Sequence, residues 1–257
     1  MPFRVPMPRL LLAWACALFP FIAAAQNPGT NVSFRVLCFD HNKGMTKVYV
    51  PLAGGKEGKT EVPLYTNDFS DLIDTTFPGD KAFFFTEEDG PAGKPVRRVV
   101  AEAPLLKVAR QAIVLLPAPA GDPMTYRALC FDDSGDSFPM GGTRVINLSP
   151  FPIRLNLAGA DLPPIKPEGA QLYPQVKAVD EWNMYNARVD FFVKEAWVAV
   201  ANQSWKAVDR KRDWVITSMD PNSRQPVIRL YQDIPPWKKP NLTAPSPAAA
   251  PTAPSKP

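Results

Sequence analysis

Short apolar runs separated by turn-forming residues cover most of the chain. Between residues 46 and 131 these runs read "TKVYV", "KAFFF", "VRRVV", "QAIVLL" and "TYRALCF", with clusters of Gly, Pro, Asp and Asn between them. Runs of this length, rich in Val, Phe, Tyr and Ile, are typical of β-strands joined by tight turns. The 31 prolines also favour strands, because proline interrupts helices and is tolerated in loops and edge strands. At most one helix, of about three turns, is expected, over residues 175–185.

The same pattern of runs is present twice in the chain. Five short matches pair Arg35 with Arg144, Leu52 with Leu157, Leu64 with Leu172, Phe83 with Phe191 and Arg127 with Arg229, in the same order in both copies. Matches in one order with similar spacing indicate an internal repeat. The sequence therefore predicts an all-β protein with two tandem β-sandwich domains, residues 31–138 and 139–238. Each is immunoglobulin-like in size and strand count.

The first 25 residues have the pattern of a secretory signal peptide. Arg4 and Arg9 come first, an apolar run follows over Leu10–Ala25, and three alanines end it. This is the order of n-region, h-region and small-residue cleavage site, so we expect cleavage after Ala25. The run is shorter than the roughly 20 apolar residues of a membrane-spanning helix. A lipoprotein anchored through Cys16 is disfavoured because the apolar run continues past that residue.

The other end of the chain, residues 239–257, is rich in Pro, Ala and Ser. Such a segment buries too little apolar surface to fold, so we expect a disordered tail. Without Arg4 and Arg9 the formal net charge falls from +4 to +2, and the remaining basic residues are scattered. Because a nucleic-acid-binding protein concentrates basic residues in a stripe, no nucleic-acid partner is expected. No transmembrane segment is expected after signal cleavage.

The link between the two copies carries a family resemblance. Asp132-Asp133 ends the first copy, and "RVINLSP" at residues 144–150 opens the second. This arrangement resembles the junction in tandem immunoglobulin-like repeats of exported bacterial proteins of unknown function, although "RVLCFDH" in the first copy departs from the opening motif. The resemblance implies a periplasmic, cell-envelope or extracellular module, and it implies no chemistry.

Catalytic motifs do not stand out in the sequence. The chain has one histidine, His41, in a polar turn, and it has no nucleophile elbow, P-loop or metalloprotease motif. We therefore expect a non-enzymatic module that binds a glycan or an envelope protein or that belongs to a surface structure. The alternative is a carbohydrate-active hydrolase, because folding can bring together two carboxylates that sequence spacing does not reveal.

Aromatic residues are the strongest candidates for a binding face. Apart from Trp14 in the signal segment, every tryptophan lies in the second copy. Tryptophan and tyrosine on a sandwich face stack on sugars or anchor protein partners, because they supply large contact area at low entropic cost. The candidate face consists of Trp182, Tyr185, Trp197 and Trp205. The alternative is that these side chains pack in the core or at the interface between the domains, with Trp182 as the most exposed of them.

An acidic loop follows the first copy. "DDSGDS" at residues 132–137 places the carboxylates of Asp132, Asp133 and Asp136 around a glycine. Hard oxygen donors suit Ca²⁺. The loop lacks the ligand spacing of an EF-hand, however, and a linker has the same composition. A linker without calcium is the preferred interpretation, and no cofactor is expected.

Two cysteines, Cys38 and Cys130, remain after signal cleavage, in the related segments "RVLCFD" and "RALCFD". Strand alternation places each cysteine on the opposite face from the arginine of its segment, towards the core. If the first and last strands of the domain are neighbours, as is common in immunoglobulin-like sandwiches, a disulfide is possible. By the chain-entropy model it would stabilise the fold by about 4 kcal/mol. Two buried free thiols are the alternative.

Overall fold

The protein is all-β in the computed structural model, which describes residues 29–90, 94–119, 121–122, 124–220 and 222–235. Within these residues the only helical element is a short 3-10 turn at Ala53–Gly55. The helix that we considered over residues 175–185 does not form, since this segment is extended, turns and then enters a strand. The predicted signal peptide and tail lie outside the described residues, as does Trp237.

Eight strands form the first half of the structure. They are β1 (Thr30–Cys38), β2 (Lys47–Pro51), β3 (Lys59–Pro63), β4 (Ile73–Phe77), β5 (Lys81–Asp89), β6 (Pro95–Pro104), β7 (Arg110–Pro117) and β8 (Tyr126–Asp132). Sheet I has the order β4-β1-β7-β8, and sheet II has the order β3-β2-β5-β6. The two sheets pack face to face over a core that includes Phe34, Val48, Phe84 and Ile113, which is the arrangement of a β-sandwich.

Eight further strands form the second half. They are β9 (Thr143–Asn147), β10 (Ile153–Leu157), β11 (Ala160–Asp161), β12 (Ala170–Tyr173), β13 (Met184–Val193), β14 (Ala196–Lys206), β15 (Arg212–Met219) and β16 (Pro226–Asp233). Sheet III has the order β12-β9-β15-β16, and sheet IV has the order β11-β10-β13-β14. The predicted boundary between residues 138 and 139 lies in the link between β8 and β9.

Strand order and register repeat from one half to the other. The parallel pair β1–β7 aligns Arg35 with Ala112, and the parallel pair β9–β15 aligns Arg144 with Trp214. A β-bulge skips Val100 on β6 opposite Phe84 and Phe85, and a second bulge skips Val200 on β14 at the corresponding place. Because bulges are local insertions at fixed positions, the two bulges mark Val100 and Val200 as equivalent residues.

The registers also correct parts of the sequence alignment. Arg35 and Cys38 correspond to Arg144 and Asn147, as the sequence match indicated. The sequence match aligned residues 83–85 with residues 191–193. The structure shifts this alignment by three residues, because the bulge equates Phe85 with Asp190 rather than with Val193. We call β8 and β16, the last strand of each half, the closing strands. Their alignment is displaced by two residues from the sequence match, so that Cys130 corresponds to Leu230 rather than to Gln232.

Sheets I and III are buried on both faces. Leu37, Val114 and Leu116 of sheet I meet Trp214 and Ile216 of sheet III in a core that both halves share. A separate core lies between sheets III and IV. The sheets are therefore stacked in the order II, I, III, IV. The described residues contain no helix long and apolar enough to cross a membrane.

Candidate functional site

One lateral edge of the first half is closed by a contact between its two sheets. The backbone N–H of Thr125, just before β8, donates to the carbonyl oxygen of Val100 at the bulge of β6, with an N–O distance of 2.9 Å. The side chain of Val100 is 0% exposed, and Thr125 is 6% exposed. Sheets I and II are thus joined at this edge, and solvent does not reach the core from this side.

A tyrosine and a long loop complete this closure. Tyr126 is 1% exposed and packs into the core of the first half. The loop between β1 and β2 (residues 39–46) brings Asn42 over it. The Asn42 backbone N–H donates to the Tyr126 hydroxyl, and the Asn42 side-chain amide donates to the Thr125 carbonyl, both over 2.9 Å.

The equivalent edge of the second half is open. The registers of the closing strands equate Thr125 with Gln225 and Tyr126 with Pro226. The N–H of exposed Gln225 donates to the hydroxyl of Ser223 within its own turn, at 3.3 Å. Val200 at the bulge is 36% exposed. The loop that corresponds to residues 39–46 is shorter, since only residues 148–152 separate β9 from β10.

An apolar groove occupies this open edge, between β14 and the hairpin of β15 and β16. Its volume is about 580 Å³, within the range of ligand-binding clefts. We call it the second-half groove. It is lined by Pro150, Phe151, Phe191, Val193, Val198, Val200, Met219, Arg224, Gln225 and Pro226. The groove exists because a proline replaces a core tyrosine and because the neighbouring loop is too short to cover the gap.

The edge strand that borders the groove is long and is uncharged up to its last residue, Lys206. Strand β14 has eleven residues, and no charged side chain occurs from Ala196 to Trp205. The matching positions of β6 include Arg97, Arg98 and Glu102, and prolines stand at both ends of that strand. Charges and prolines on edge strands prevent unwanted pairing with other chains. The first half has this protection, and the second half lacks it.

Arg224 is the one charged residue among those that line the groove. It lies in the turn before β16 with a positive φ of 53°, and it is exposed. Over the described parts of the chain, no carboxylate pairs with its guanidinium. This cation is therefore placed to meet an acidic group on a molecule that enters the groove.

The four aromatic residues expected to form a binding face are divided between core and surface. Tyr185 and Trp205 belong to the core between sheets III and IV, where their rings are 6.4 Å apart in an edge-to-face contact. They are 7% and 9% exposed, so the predicted four-residue face does not exist as a continuous surface. Trp182 is 69% exposed in the turn before β13, as the polar residues around it indicated.

Trp197 lies half-buried on the outer face of sheet IV. Its ring is 5.1 Å from that of Phe192, and the guanidinium of Arg154 stacks over it at 4.7 Å. Arg154 in turn forms ion pairs with Asp190 and Asp161, at 3.0 and 3.2 Å. The Trp197 side chain of the edge strand is thus held in place on this outer face.

A buried cluster of charges joins the two halves. Arg35 and Arg212, at 2% and 0% exposure, both contact Asp133 of the first half and Asp233 of the second. Although burial by itself raises the pKa of Asp233, hydrogen bonds and charge from Arg35 and Arg212 hold that pKa below its usual range. Buried carboxylates are stable only when they are paired in this way.

Aromatic rings surround the charge cluster. Trp214 is fully buried, with ring centroids 5.1 Å from Phe69 and 5.2 Å from Phe138. Arg144, the counterpart of Arg35, stacks on Trp214 at 5.0 Å, and burial lowers the pKa of Arg144 to about 10. Trp214 therefore belongs to the interface between the halves and not to a ligand site.

The acidic loop has a structural role in this cluster. Asp133 is fully buried and pairs with Arg35, Arg110 and Arg212. Asp132 accepts hydrogen bonds from Ser134 and Ser137 of its own turn, and Asp136 is exposed. The three carboxylates suggested for calcium do not converge, and the described residues contain no group of three or more metal-ligating side chains.

Cys38 and Cys130 are both free thiols. The expected inward orientation is correct, since both pack against the core of the first half. Strands β1 and β8 were expected to be neighbours, but β7 lies between them. A disulfide needs Cα atoms within about 7 Å. The two cysteines are two strands apart and are offset by two residues along β7, so their Cα atoms are too far apart to be bridged. Burial raises the pKa of Cys38 to about 11 and that of Cys130 to about 12.

Sequence reasoning missed the second-half groove. The signal that could have revealed it is the loss of Arg97, Arg98 and Glu102 between the equivalent edge strands β6 and β14, which is readable only after β5 and β13 are aligned through their bulges. No protein-family model and no curated protein matches the chain. We therefore infer the function from the geometry of the second-half groove and its edge strand.

Proposed function

We propose that this protein is an exported, non-enzymatic module of the cell envelope or extracellular space that binds a protein partner in the second-half groove. The observation that carries the proposal is the difference between Val100, 0% exposed, and Val200, 36% exposed, at equivalent bulges. The same fold occurs in both halves, but its lateral edge is closed in the first half and open in the second. This difference indicates that the open edge serves to bind a ligand. Exposed apolar patches of this kind mark interaction sites.

A protein partner is favoured over a glycan. Apart from Arg224 and Gln225, the groove is lined by apolar side chains, which suit apolar side chains of a polypeptide. A sugar-binding face needs exposed aromatic rings beside hydrogen-bonding groups, and two of the four candidate rings are in the core. Trp182 and Trp197 do not line the groove, so the contact surface that the groove offers is aliphatic and not an aromatic platform.

A hydrolase is disfavoured by the state of the buried carboxylates. Among the described residues the buried aspartates are Asp133, Asp190, Asp213 and Asp233, and each forms an ion pair with arginine or lysine. Glycoside hydrolysis requires one carboxyl group that is protonated and available as an acid. Burial raises the pKa of Asp213, but the Lys211 ammonium binds both oxygens of this carboxylate, at 2.8 and 2.9 Å, so the group is not available as an acid. His41, the single histidine, contacts the Leu64 carbonyl oxygen at 2.8 Å.

We infer further that the halves are tandem immunoglobulin-like domains, exported after removal of residues 1–25. Support comes from the paired sheets of each half, from the repeated strand order and from the resemblance of the "RVINLSP" segment, which forms β9 and the turn after it. N-terminal sequencing of the mature protein tests the export step. A first residue of Gln26 agrees with it, and an intact Met1 contradicts it.

Cross-linking from within the groove tests the binding function. A photoreactive amino acid replaces Val198 in one variant and its counterpart Arg98 in a matched control, and both are expressed in the cells that make the protein. We expect a discrete protein adduct from position 198, absent from position 98 and lost when Val200→Arg is added. Equal adducts from both positions, or none from either, contradict a protein-binding groove.

A further inference from the structure

We propose that the partner inserts an extended segment into the second-half groove as an added β-strand on β14, with a bulky apolar anchor and an acidic group beside it. This inference rests on the proposed function and specifies the chemistry of the partner. It makes the occupant a strand of another chain and not a globular surface or a small apolar molecule.

The edge of sheet IV provides the backbone groups for such a strand. Strand β14 pairs with β13 along its whole length, and in the described chain no strand lies on its other side. About half of its backbone N–H and C=O groups therefore face the open side. An added strand of about six residues, roughly 20 Å long, satisfies these groups and gains affinity from main-chain hydrogen bonds.

The first half indicates which contacts the inserted strand makes. There the protein's own chain lies at the closed edge and donates the N–H of Thr125 to the bulge carbonyl of Val100. The next residue, Tyr126, fills the space below with its ring. In the second half Gln225 turns away and Pro226 leaves that space empty. A partner strand can supply both missing elements, namely an N–H donor for the Val200 carbonyl and a ring that takes the position of Tyr126.

Side-chain alternation defines the rest of the partner segment. Val198 and Val200 border the groove from β14, with exposures of 49% and 36%, and Phe191 and Met219 lie deeper. Every second side chain of an added strand points into this apolar space. The segment therefore has apolar residues at alternate positions, with polar residues between them that face solvent.

Charge complementarity sets one end of the segment. Arg224 is the charged residue of the lining, and the groove side of β14 carries no carboxylate that would oppose an acid. An acidic side chain or a terminal carboxylate on the partner pairs with this guanidinium. A basic partner segment is disfavoured for the same reason.

Synthetic peptides test strand addition on the intact mature protein. The probe is a labelled peptide of sequence "TVTYTVTD", and fluorescence anisotropy measures its Kd. Two control peptides carry N-methyl groups on alternate amides, one in each register, so that each keeps its side chains and loses half of its hydrogen-bond donors. A third control replaces the acid by asparagine. We expect at least one methylated peptide to bind 10-fold or more weakly, and the asparagine peptide to bind several-fold more weakly.

Matched protein variants locate the binding site. Val198→Arg introduces the charge that the first half has at Arg98. We expect this substitution to raise the Kd of the unmodified peptide 10-fold or more. Arg98→Val on the closed edge is the control and leaves the Kd unchanged. Thermal unfolding of both variants checks that they fold, since both positions are on the surface.

Each outcome separates strand addition from simple groove binding. One outcome is that all methylated peptides bind as well as the parent peptide, while Val198→Arg still raises their Kd values. The groove then binds peptides, but not as an added β-strand. If no peptide binds, strand addition by a segment of this chemistry is overturned, and the cross-linking at position 198 decides the binding function independently. If Arg98→Val and Val198→Arg weaken binding equally, the site is not the second-half groove.

Discussion

Arg35 on β1 donates two hydrogen bonds to Asp233 on β16, 2.7 and 2.6 Å long, although 198 positions separate the two residues in the sequence. The bond connects the first strand of one half to the last strand of the other, and both side chains are almost completely buried. Together with the contacts of Arg212 to the same aspartate, it fixes how the halves are oriented. The second-half groove is thus part of a scaffold whose two halves are joined by buried ion pairs.

Replacing Asp233 by asparagine tests this connection. The substitution removes the negative charge and leaves Arg35 and Arg212 buried with one carboxylate between them. Breaking a buried ion pair by removing one partner costs about 3–5 kcal/mol, so we expect a loss of unfolding free energy of this size in urea titrations. Glu61→Gln, which removes an exposed partner of Lys47, is the control and costs less than about 1 kcal/mol. Equal effects of the two substitutions contradict the role of the cluster.

The same aspartate makes stability depend on pH in the acid range. The folded protein holds the pKa of Asp233 below its usual value, whereas the unfolded chain has a pKa of about 3.9. A depressed folded pKa contributes stability that is fully present above about pH 4 and is lost as the pH falls further. We therefore expect the difference in Tm between wild type and Asp233→Asn to be largest near pH 7 and to shrink below pH 4. A difference that stays constant down to about pH 2.5 contradicts this assignment.

Tryptophan substitutions distinguish the interface from the surface. Trp214 contacts Phe69, Phe131 and Phe138 in the shared core, so Trp214→Ala should destabilise the fold by about 3–5 kcal/mol. Trp182→Ala, at a side chain that is 69% exposed, should change stability by less than about 0.5 kcal/mol. Denaturation monitored by circular dichroism measures both. A stability loss at Trp182 as large as that at Trp214 would show that Trp182 packs in the native state.

The two thiols provide a check on the strand order. Because β7 separates β1 from β8, we expect the unreduced protein that lacks residues 1–25 to carry two free cysteines. Their raised pKa values keep them protonated and slow to alkylate in the native state at pH 8. Mass spectrometry after alkylation in denaturant, without reductant, should show two added groups. A protein that takes up no label until it is reduced has a disulfide, and the order of strands in sheet I would then be wrong.

Hydrophobic patterning predicted the all-β fold, and ordered residue matches predicted the internal repeat, but neither predicted the stacking of the halves. "QAIVLL" in β7 is apolar at consecutive positions because sheet I is covered on both faces, a pattern typical of doubly buried strands. Arg35 occupies a buried face because its charge is neutralised by Asp133 and Asp233. The position of Asp233 far along the chain gives no local signal of that pairing.

The candidate site was harder to predict for a related reason. The groove forms where no side chain fills the space between the sheets. A missing side-chain contact leaves no pattern in the sequence. Pro226 in place of Tyr126 and the short 148–152 loop are visible in the sequence only when the register of the closing strands is known. The exposed aromatic residue Trp182, in contrast, was predictable because polar residues surround it locally.

Amide hydrogen exchange, resolved residue by residue, distinguishes an open edge at β14 from a closed one. We expect the Thr125 amide, bonded to the Val100 carbonyl, to exchange slowly, while the amide of Gln225 and alternate amides of β14 exchange fast. Addition of the "TVTYTVTD" peptide should slow the β14 amides at least 10-fold and leave those of β6 unchanged. Slow exchange along all of β14 in the free protein, or no slowing with saturating peptide, would contradict an open edge that accepts a strand.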